Sequence, residues 1–232
     1  MSIGFRVFTQ RELPTTDVIE GFKTIPAANI ADCMGRLSAM NCRIRRMTAP
    51  AEQNMVGVAL TVKARPGDNL MMHKALNMIK PGDILIVSNE GDSSQSLMGE
   101  IMVAYAKSQG IAGIVLDGPM RDLDTIYAMG VPVYATGHTP GGPFKEGPGE
   151  VNVPVACGNI HVTPGDIIVG DSDGVIVIPK HDAAKLLEEA RKFSANDHAK
   201  LVAAQTGKAD RSWVDKALAA KGCETIDAVY PG

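Results

Sequence analysis

Short apolar runs alternate with segments of helical periodicity between residues 69 and 134, and this alternation restricts the fold more than any other feature of the sequence. Residues 84–87 and 112–116 are continuous apolar runs, which are typical of strands buried on both faces. Helices are predicted at residues 69–79, 93–110 and 122–129, and a further strand at 131–134. Because strands connected by helices pair in parallel, the pattern predicts a parallel sheet with helices packed on it.

The pattern changes at residues 137–145, which form a loop rich in glycine and proline. Short strands without intervening helices are predicted after it, at residues 151–155, 159–162, 167–170 and 174–178. Such strands pair antiparallel, so we expect a meander packed on the parallel unit. The remaining predicted elements are helices at residues 16–22 and 26–34, a strand at 55–64, and a long helix at 181–206 followed by a polar tail. We therefore predict one domain over residues 1–232, with residues 181–232 as a helical C-terminal arm.

The composition argues against several classes of protein. The chain has 23 basic and 26 acidic residues and a formal net charge of -3, whereas binding to nucleic acid requires concentrated positive charge. Its one basic cluster, residues 43–46, is interpreted as a solvated entrance to a strand. No apolar run has the length that spans a membrane, the N-terminus lacks the apolar core of a secretory signal, and the four cysteines form no CxxC pair. We therefore expect a cytoplasmic protein with neither a nucleic acid nor a membrane as its partner.

Groups suited to catalysis follow the two apolar strands. Ligands of parallel sheets bind at the carboxyl ends of the strands, where the loops after these two strands would lie side by side. The first loop leads to Gly99 and Glu100, and free amides at a helix start bind anions while a glycine permits close approach of the backbone. The second loop ends in Arg121 and Asp122, where an arginine suits a carboxylate ligand and an aspartate suits a hard cation.

Both acidic residues also have a purely structural interpretation. Asp122 alone could cap the helix that it begins, and Glu100 could be a solvated helix residue. The arginine is not explained in this way, because a positive charge at a helix start meets the positive end of the helix dipole. The residues alone leave both interpretations of Asp122 and Glu100 open.

The sequence lacks the patterns of other common catalytic sites. It contains no GxSxG elbow for a serine nucleophile, and the glycines at residues 137–142 do not have the spacing of a nucleotide-binding loop. The five histidines have neither HxxxH nor HExxH spacing, so a zinc site built on several histidines is not expected.

Taken together, the motifs resemble the RraA-like family, which contains the 4-hydroxy-4-methyl-2-oxoglutarate aldolases that also decarboxylate oxaloacetate. The resemblance rests on Gly99-Glu100-Ile101-Met102 and on the run GIAGIVLDGPMRD at residues 110–122, and it extends over most of the chain. It implies an α/β fold, namely a three-layer β/β/α swivelling domain with a parallel and an antiparallel sheet, N-terminal helices and a long C-terminal helix. It also implies a homo-oligomer, a trimer or a dimer of trimers, with the active site between subunits.

The same resemblance implies roles for individual residues. The amides of residues 99–102 would bind the carboxylate of a keto acid substrate, Glu100 would act near the proton transfer to C3, and Arg121 would contact the keto oxygen and the enolate. Asp122 would be the direct protein ligand of Mg²⁺ or Mn²⁺, and Asp197 of a neighbouring subunit would contact the waters of that metal. Glu100 stands where the family usually has aspartate, and Asp197 where it has glutamate. The implied activity is metal-dependent cleavage of 4-hydroxy-4-methyl-2-oxoglutarate-like acids to pyruvate, with decarboxylation of oxaloacetate.

Three alternatives stay open. The first is a ribonuclease E inhibitor of the same fold that binds a protein and catalyses nothing; such inhibitors are shorter and lack the aspartate after the loop arginine. The second is an aldolase that forms a Schiff base through Lys74, Lys107 or Lys145. The third is a family member with a different keto acid substrate. Lys145 is also a candidate contact for a distal carboxylate of the substrate.

Overall fold

The structure, a computed structural model, describes residues 3–50 and 53–230, so both ends of the predicted domain lie outside the described residues. The strands within these ranges are β1 (Phe5–Val7), β2 (Arg45–Arg46), β3 (Met55–Ala64), β4 (Asp83–Ser88), β5 (Gly113–Asp117), β6 (Pro119–Met120), β7 (Val133–Ala135), β8 (Gly137–His138), β9 (Gly149–Val151), β10 (Val155–Cys157), β11 (Ile160–Val162), β12 (Ile167–Gly170) and β13 (Val175–Ile178). The helices are α1 (Thr16–Gly21), α2 (Ala27–Cys33), α3 (Leu70–Leu76), α4 (Glu100–Ser108), α5 (Leu123–Tyr127), α6 (Ala183–Gln205) and α7 (Trp213–Ala220).

Four parallel strands form the centre of the main sheet, as the alternation of strands and helices predicts. Its strand order is β1-β9-β3-β4-β5-β7-β2, and β3, β4, β5 and β7 pair in parallel. The register places Leu85 between Leu60 and Ile114. The carboxyl ends of β4 and β5 are therefore neighbours, and the loops that follow these strands meet at one edge of the sheet.

Three of the four strands predicted for the second half are present. The strand predicted at residues 151–155 is wrong, because Asn152 has a left-handed backbone and residues 152–154 separate the end of β9 from the start of β10. These strands do not form a simple meander. They pair as two hairpins, β10–β11 and β12–β13, and both β12 and β9 pair antiparallel with β3. The cause is the ten-residue length of β3. Its first half pairs with β12 from Met55 to Val58, and its second half pairs with β9 from Val62 to Ala64.

Alternate residues of the central strands face opposite sides of the sheet. Leu85 and Val87 belong to the apolar cluster that includes α3 and α4, whereas Ile84 and Ile86 belong to the cluster that includes β10 and β11. A third cluster joins α2 and the first part of α6 to β12 and β13. The layers are thus helices, main sheet and β-hairpin, which confirms the three-layer β/β/α arrangement with N-terminal helices.

Two helix predictions need correction. The helix predicted from residue 93 begins only at Glu100, because the amides of Ser96 and Leu97 donate to Gly141 and Pro119 of other loops instead of to helical carbonyls. The helix predicted to reach residue 79 ends at Leu76. The polar tail that follows the predicted long helix contains α7.

The long C-terminal helix is confirmed as α6, and Gly207 follows it in the left-handed conformation that commonly ends a helix. The chain divides into two compact units, residues 1–193 and residues 194–232. The second unit contains the end of α6 and all of α7. No helix in the described part of the chain has the length and apolar character needed to cross a membrane.

Candidate functional site

The loops that follow β4 and β5 are joined by backbone hydrogen bonds. The amide of Leu97 donates to the carbonyl of Pro119 at 2.9 Å, and the amide of Arg121 donates to the carbonyl of Met98 at 3.0 Å. These bonds place the Gly99-Glu100 motif beside the Arg121-Asp122 motif, although the two are more than twenty residues apart along the chain. The predicted neighbourhood of the two loops is present in the structure.

Gly99 lies against the side chains of Arg121 and Asp122. A Cβ atom at residue 99 would overlap Oδ2 of Asp122 and would lie 3.1 Å from Nε of Arg121. The backbone of Gly99 is extended, with φ at -132° and ψ at -173°, so glycine is required here for space and not for its conformational freedom. Any larger residue at this position would displace the arginine, the aspartate or both.

Asp122 occupies the start of α5 but does not cap that helix with its side chain. Its Oδ2 atom accepts a hydrogen bond of 3.0 Å from the amide of Glu100, the first residue of α4. Its backbone is left-handed, with φ at 61° and ψ at 38°, a conformation that costs a non-glycine residue on the order of 1 kcal/mol and is concentrated at functional sites. Of the two interpretations left open by the sequence, side-chain capping of its own helix is therefore not the one observed.

The charged pair at this site is open to solvent. The side chains of Arg121 and Asp122 are 44% and 37% exposed, and Nε of the arginine lies 3.7 Å from Oδ2 of the aspartate. This distance is too long for a hydrogen bond. Both groups can therefore contact a ligand without first breaking a tight ion pair.

Two of the four backbone amides at residues 99–102 are already engaged. The amide of Glu100 donates to Asp122, and the amide of Met102 donates to the carbonyl of Gly99 at 3.1 Å. The amides of Gly99 and Ile101 have no hydrogen-bond partner within residues 3–50 and 53–230. An anion at this helix start would therefore be bound by the amides of Gly99 and Ile101.

The side chains of this segment differ in their surroundings. Ile101 is 80% exposed, whereas Met102 is buried and its Sδ atom lies 3.4 Å from Nδ2 of Asn69. The backbone of Glu100 is tied to Asp122, and its partly exposed side chain leads α4. Met102 therefore anchors the first turn of α4, while the side chains of Glu100 and Ile101 stay at the surface beside the open site.

The glycine-rich loop at residues 137–145 lies beside Arg121. The carbonyl of Gly141 accepts hydrogen bonds from both the amide and the hydroxyl of Ser96, and the amide of Thr139 donates to Met120. A Cβ atom at residue 142 would lie 3.2 Å from Nη1 of Arg121. This loop therefore forms one wall of the site.

Lys145, at the end of this loop, is exposed and close to His73 of α3. Burial and then the Lys145 ammonium lower the pKa of His73. Lys74 and Lys107 are exposed as well, and the Lys107 ammonium donates to the carbonyl of Met129. A lysine that forms a Schiff base needs desolvation or a nearby cation to lower its own pKa, and exposed lysines do not provide the first condition.

Arg43 makes a long-range ion pair beside the site that the sequence interpretation missed. Its guanidinium binds both carboxylate oxygens of Asp117, with Nη2 at 2.8 Å from Oδ1 and 2.9 Å from Oδ2. Asp117 ends β5 and is buried, so its charge requires a partner. The interpretation of residues 43–46 as a solvated strand entrance is therefore incomplete, because Arg43 is partly exposed before β2 but is also paired with a buried carboxylate. An aspartate directly after a fully apolar strand was the available signal that a distant cation must reach it.

The donor set fits a cation that keeps most of its waters. Within the described ranges, no three His, Cys, Asp or Glu side chains are grouped as a metal site. Both contacts of the Asp122 carboxylate involve Oδ2, and the side chain is partly exposed. One accessible carboxylate is the kind of protein ligand that Mg²⁺ accepts alongside several waters. Asp197 is exposed on α6 within the unit of residues 194–232, so its role toward a neighbouring subunit stays a prediction.

Comparisons with known proteins agree with this architecture. The family model described as RraA-like, Aldolase/RraA, matches residues 27–177. A protein of Halalkalibacterium halodurans with the provisional name 4-hydroxy-4-methyl-2-oxoglutarate aldolase is 39% identical over 186 residues, which cover 79% of this chain and 87% of that protein. The chain therefore belongs to the RraA-like family.

Solved structures share the fold. RraAS2 of Streptomyces coelicolor, described as an unusual member of the RNase ES inhibitor RraA family, has a TM-score of 0.72 at 26% identity and covers 82% of this chain and 98% of its own. An uncharacterised protein of Pseudomonas syringae has the same TM-score of 0.72 at 24% identity, covering 85% of this chain and 96% of its own, and shows the fold alone.

Proposed function

We propose that this chain is a lyase that cleaves 4-hydroxy-4-methyl-2-oxoglutarate-like acids to pyruvate and decarboxylates oxaloacetate. The observation that carries the proposal is the open Arg121–Asp122 pair beside two amides at the start of α4 that have no partner among the described residues. This arrangement brings together the Arg121 guanidinium, the Asp122 carboxylate and a helix start that can bind an anion. The name of the 39% identical relative supports the same class of reaction.

Both reactions break the bond between C3 and C4 of a 2-keto acid and leave the electron pair on the pyruvate enolate. In the aldol cleavage, the hydroxyl at C4 loses its proton and becomes a carbonyl; in the decarboxylation, the C4 carboxylate leaves as CO₂. A proton is then added at C3 to give pyruvate. One site that stabilises the enolate therefore serves both substrates.

The residues divide this work. The amides of Gly99 and Ile101 would bind the substrate carboxylate, and the Arg121 guanidinium would donate hydrogen bonds to the keto oxygen as negative charge develops there. Glu100 would hold the proton that is exchanged at C3 through a water molecule. Fixed donors that need no rearrangement during the reaction are the main source of stabilisation in sites of this kind.

Asp122 would hold Mg²⁺ or Mn²⁺, with water as the other ligands. A divalent cation supplies Lewis-acid stabilisation of negative charge on substrate oxygens. The hydrogen bond from the Glu100 amide holds Oδ2 in place, so the carboxylate is oriented before a cation binds. We further propose a homo-oligomer, a trimer or a dimer of trimers, in which Asp197 of a neighbouring subunit contacts the waters of the cation.

A second candidate function is a protein-binding module without catalysis. It is favoured by the similarity to RraAS2, which is described as a member of an RNase inhibitor family. Turnover separates the two candidates, because a binding module releases no pyruvate from any keto acid.

The test is a pyruvate-release assay over a panel of 4-hydroxy-2-oxo acids and oxaloacetate, with Mg²⁺, with Mn²⁺ and after treatment with a chelator. We expect turnover that depends on the added cation and no covalent product when borohydride is added with pyruvate. Turnover that survives chelation together with a borohydride-trapped adduct would assign the Schiff-base mechanism instead. Absence of turnover over the whole panel would favour the binding module.

A further inference from the structure

The basic cluster at residues 43–46 is not one surface feature, because its arginines have different partners. Arg45 is exposed and donates to the carbonyl of Cys42, and Arg46 lies over the ring of Tyr134 at 6.0 Å. Arg43 alone reaches the end of a central strand, where it binds the side chain of Asp117. The function proposed above leaves this contact without a role.

Asp117 gathers two distant segments around the end of β5. The Arg43 side chain donates three hydrogen bonds to its carboxylate, and the amide of Gly158, in the turn of the β10–β11 hairpin, donates a fourth at 3.2 Å. The Arg43 guanidinium also lies near Gly91 in the loop after β4, 3.6 Å from the position of a Cβ atom there. Arg43 and Asp117 together thus connect both loops of the site to the β10–β11 hairpin on the opposite layer of the fold.

The segment between Asp117 and Arg121 leaves little freedom for movement. A Cβ atom at Gly118 would lie 2.8 Å from both Asn89 and Leu97, so the backbone is closely packed there. The carbonyl of Gly118 accepts from the amide of Thr136. Because the segment is short, a displacement of Asp117 would shift the residues that follow it, including Arg121.

We propose that Arg43 is a positioning residue for this site. By holding Asp117, it fixes the loop of residues 117–122 and so places Arg121 and Asp122 against the start of α4. Arg43 itself contacts neither the substrate nor a cation in this proposal. Its effect on catalysis rests on the proposed function, whereas its effect on the order of the loop does not.

The experiment compares Arg43→Ala, Arg43→Lys and Asp117→Asn with Arg6→Ala as a matched control. Arg6 also pairs with a buried carboxylate, that of Glu150, but at the far edge of the sheet. The readouts are kcat and KM for oxaloacetate with Mg²⁺, amide hydrogen exchange of residues 97–100 and 117–122, and thermal unfolding.

For Arg43→Ala, we expect at least a tenfold lower kcat at a temperature where the variant is folded, with faster exchange in both segments. Arg43→Lys should give intermediate values, because lysine restores the charge but not the two-point contact. Arg6→Ala should lower the unfolding temperature while kcat stays within twofold of wild type. Its exchange rates should rise only around residues 5–7 and 149–151.

Exchange at residues 97–100 and 117–122 that is unchanged in Arg43→Ala would overturn the proposal. A kcat within twofold of wild type would do the same, because a merely structural pair lowers stability without lowering turnover of the folded enzyme. If Arg43→Ala does not fold, Arg43→Lys and Asp117→Asn decide by the same two criteria. If wild type turns over no keto acid, the proposed function fails, and hydrogen exchange alone decides whether Arg43 orders the loop.

Discussion

Two arginine–aspartate pairs lie at opposite ends of the central strands and differ in almost every physical respect. At the amino end of β4, the side chains of Arg11 and Asp83 are only 7% and 2% exposed, and the guanidinium donates directly to the carboxylate. Arg11 also donates to the carbonyl of Ala59, and Asp83 accepts from the amide of Lys80. At the carboxyl end of β5, Arg121 and Asp122 are far more exposed and are not hydrogen-bonded to each other.

The difference shows that residue type does not decide whether a charged pair is enclosed by the fold or left open to solvent. The buried pair is enclosed by the protein and hydrogen-bonded to it, so removal of one partner leaves a buried charge without water or a counter-ion. The open pair is held by one backbone amide and by packing against Gly99, so its charges remain available. Stability should therefore be sensitive to the first pair, and activity to the second.

The largest effect is expected for the buried pair. Arg11→Ala should reduce the free energy of unfolding by about 3–5 kcal/mol, because the Asp83 carboxylate would remain buried without its cation. Chemical denaturation measures this loss. Arg36→Ala is the matched control, since Arg36 pairs with Asp32 on the exposed face of α2 and should cost only about 0.3–0.5 kcal/mol. Equal losses in the two variants would contradict the distinction between buried and open pairs.

The open pair should show the opposite behaviour. Asp122→Ala should lower kcat/KM with Mg²⁺ by about 100- to 1000-fold, the range for loss of one preorganised group, and the free energy of unfolding by about 1 kcal/mol at most. Steady-state kinetics and denaturation on the same sample test both parts. Asp124→Ala, in the first turn of the same helix, should have nearly normal kinetics. An Asp122 variant that is folded and active would remove this residue from the site.

Arg121→Lys should lower kcat/KM less than Asp122→Ala does. Lysine keeps the positive charge but loses the planar arrangement of donors, so kcat/KM should fall by about 10- to 100-fold. The loss should be mainly in kcat, because the guanidinium is assigned to the enolate oxygen and not to binding of the ground state. A silent substitution would show that Arg121 makes only a surface contact.

Sequence patterns predicted the parts of this comparison that depend on local chemistry. The continuous apolar runs identified β4 and β5, and the rule for parallel strands placed the Gly99 and Arg121 motifs side by side. Long-range partners were not predictable in the same way. Arg43 and Asp117 are 74 residues apart, and no periodicity links them. The late start of α4 was missed for the same reason. Nothing in the local sequence shows that the amides of Ser96 and Leu97 donate to two other loops instead of to helical carbonyls.

The fourth prediction concerns the wall of the open site. If the loop of residues 137–145 contacts the distal carboxylate of a substrate, Lys145→Ala should raise KM for 4-hydroxy-4-methyl-2-oxoglutarate by about tenfold, equivalent to about 1.4 kcal/mol. Oxaloacetate should change little, since it has no group beyond the carboxylate that leaves as CO₂. Lys74→Ala serves as the control for a general loss of positive charge. Equal changes for both substrates would show that Lys145 has no selective role.

The smallest expected effect is a titration of His73 on α3, whose charge couples to Lys145. Burial and the Lys145 ammonium both lower the pKa of His73, and burial is the larger cause. Lys145→Ala should therefore raise the pKa of His73 partway toward its ordinary value, which NMR titration of the imidazole measures. Because the unfolded chain protonates this histidine more readily than the folded protein does, stability should fall as the pH drops below about 6.5 in wild type, and less in the variant. An unchanged pKa would mean that solvent fully screens the charge of the Lys145 ammonium from His73.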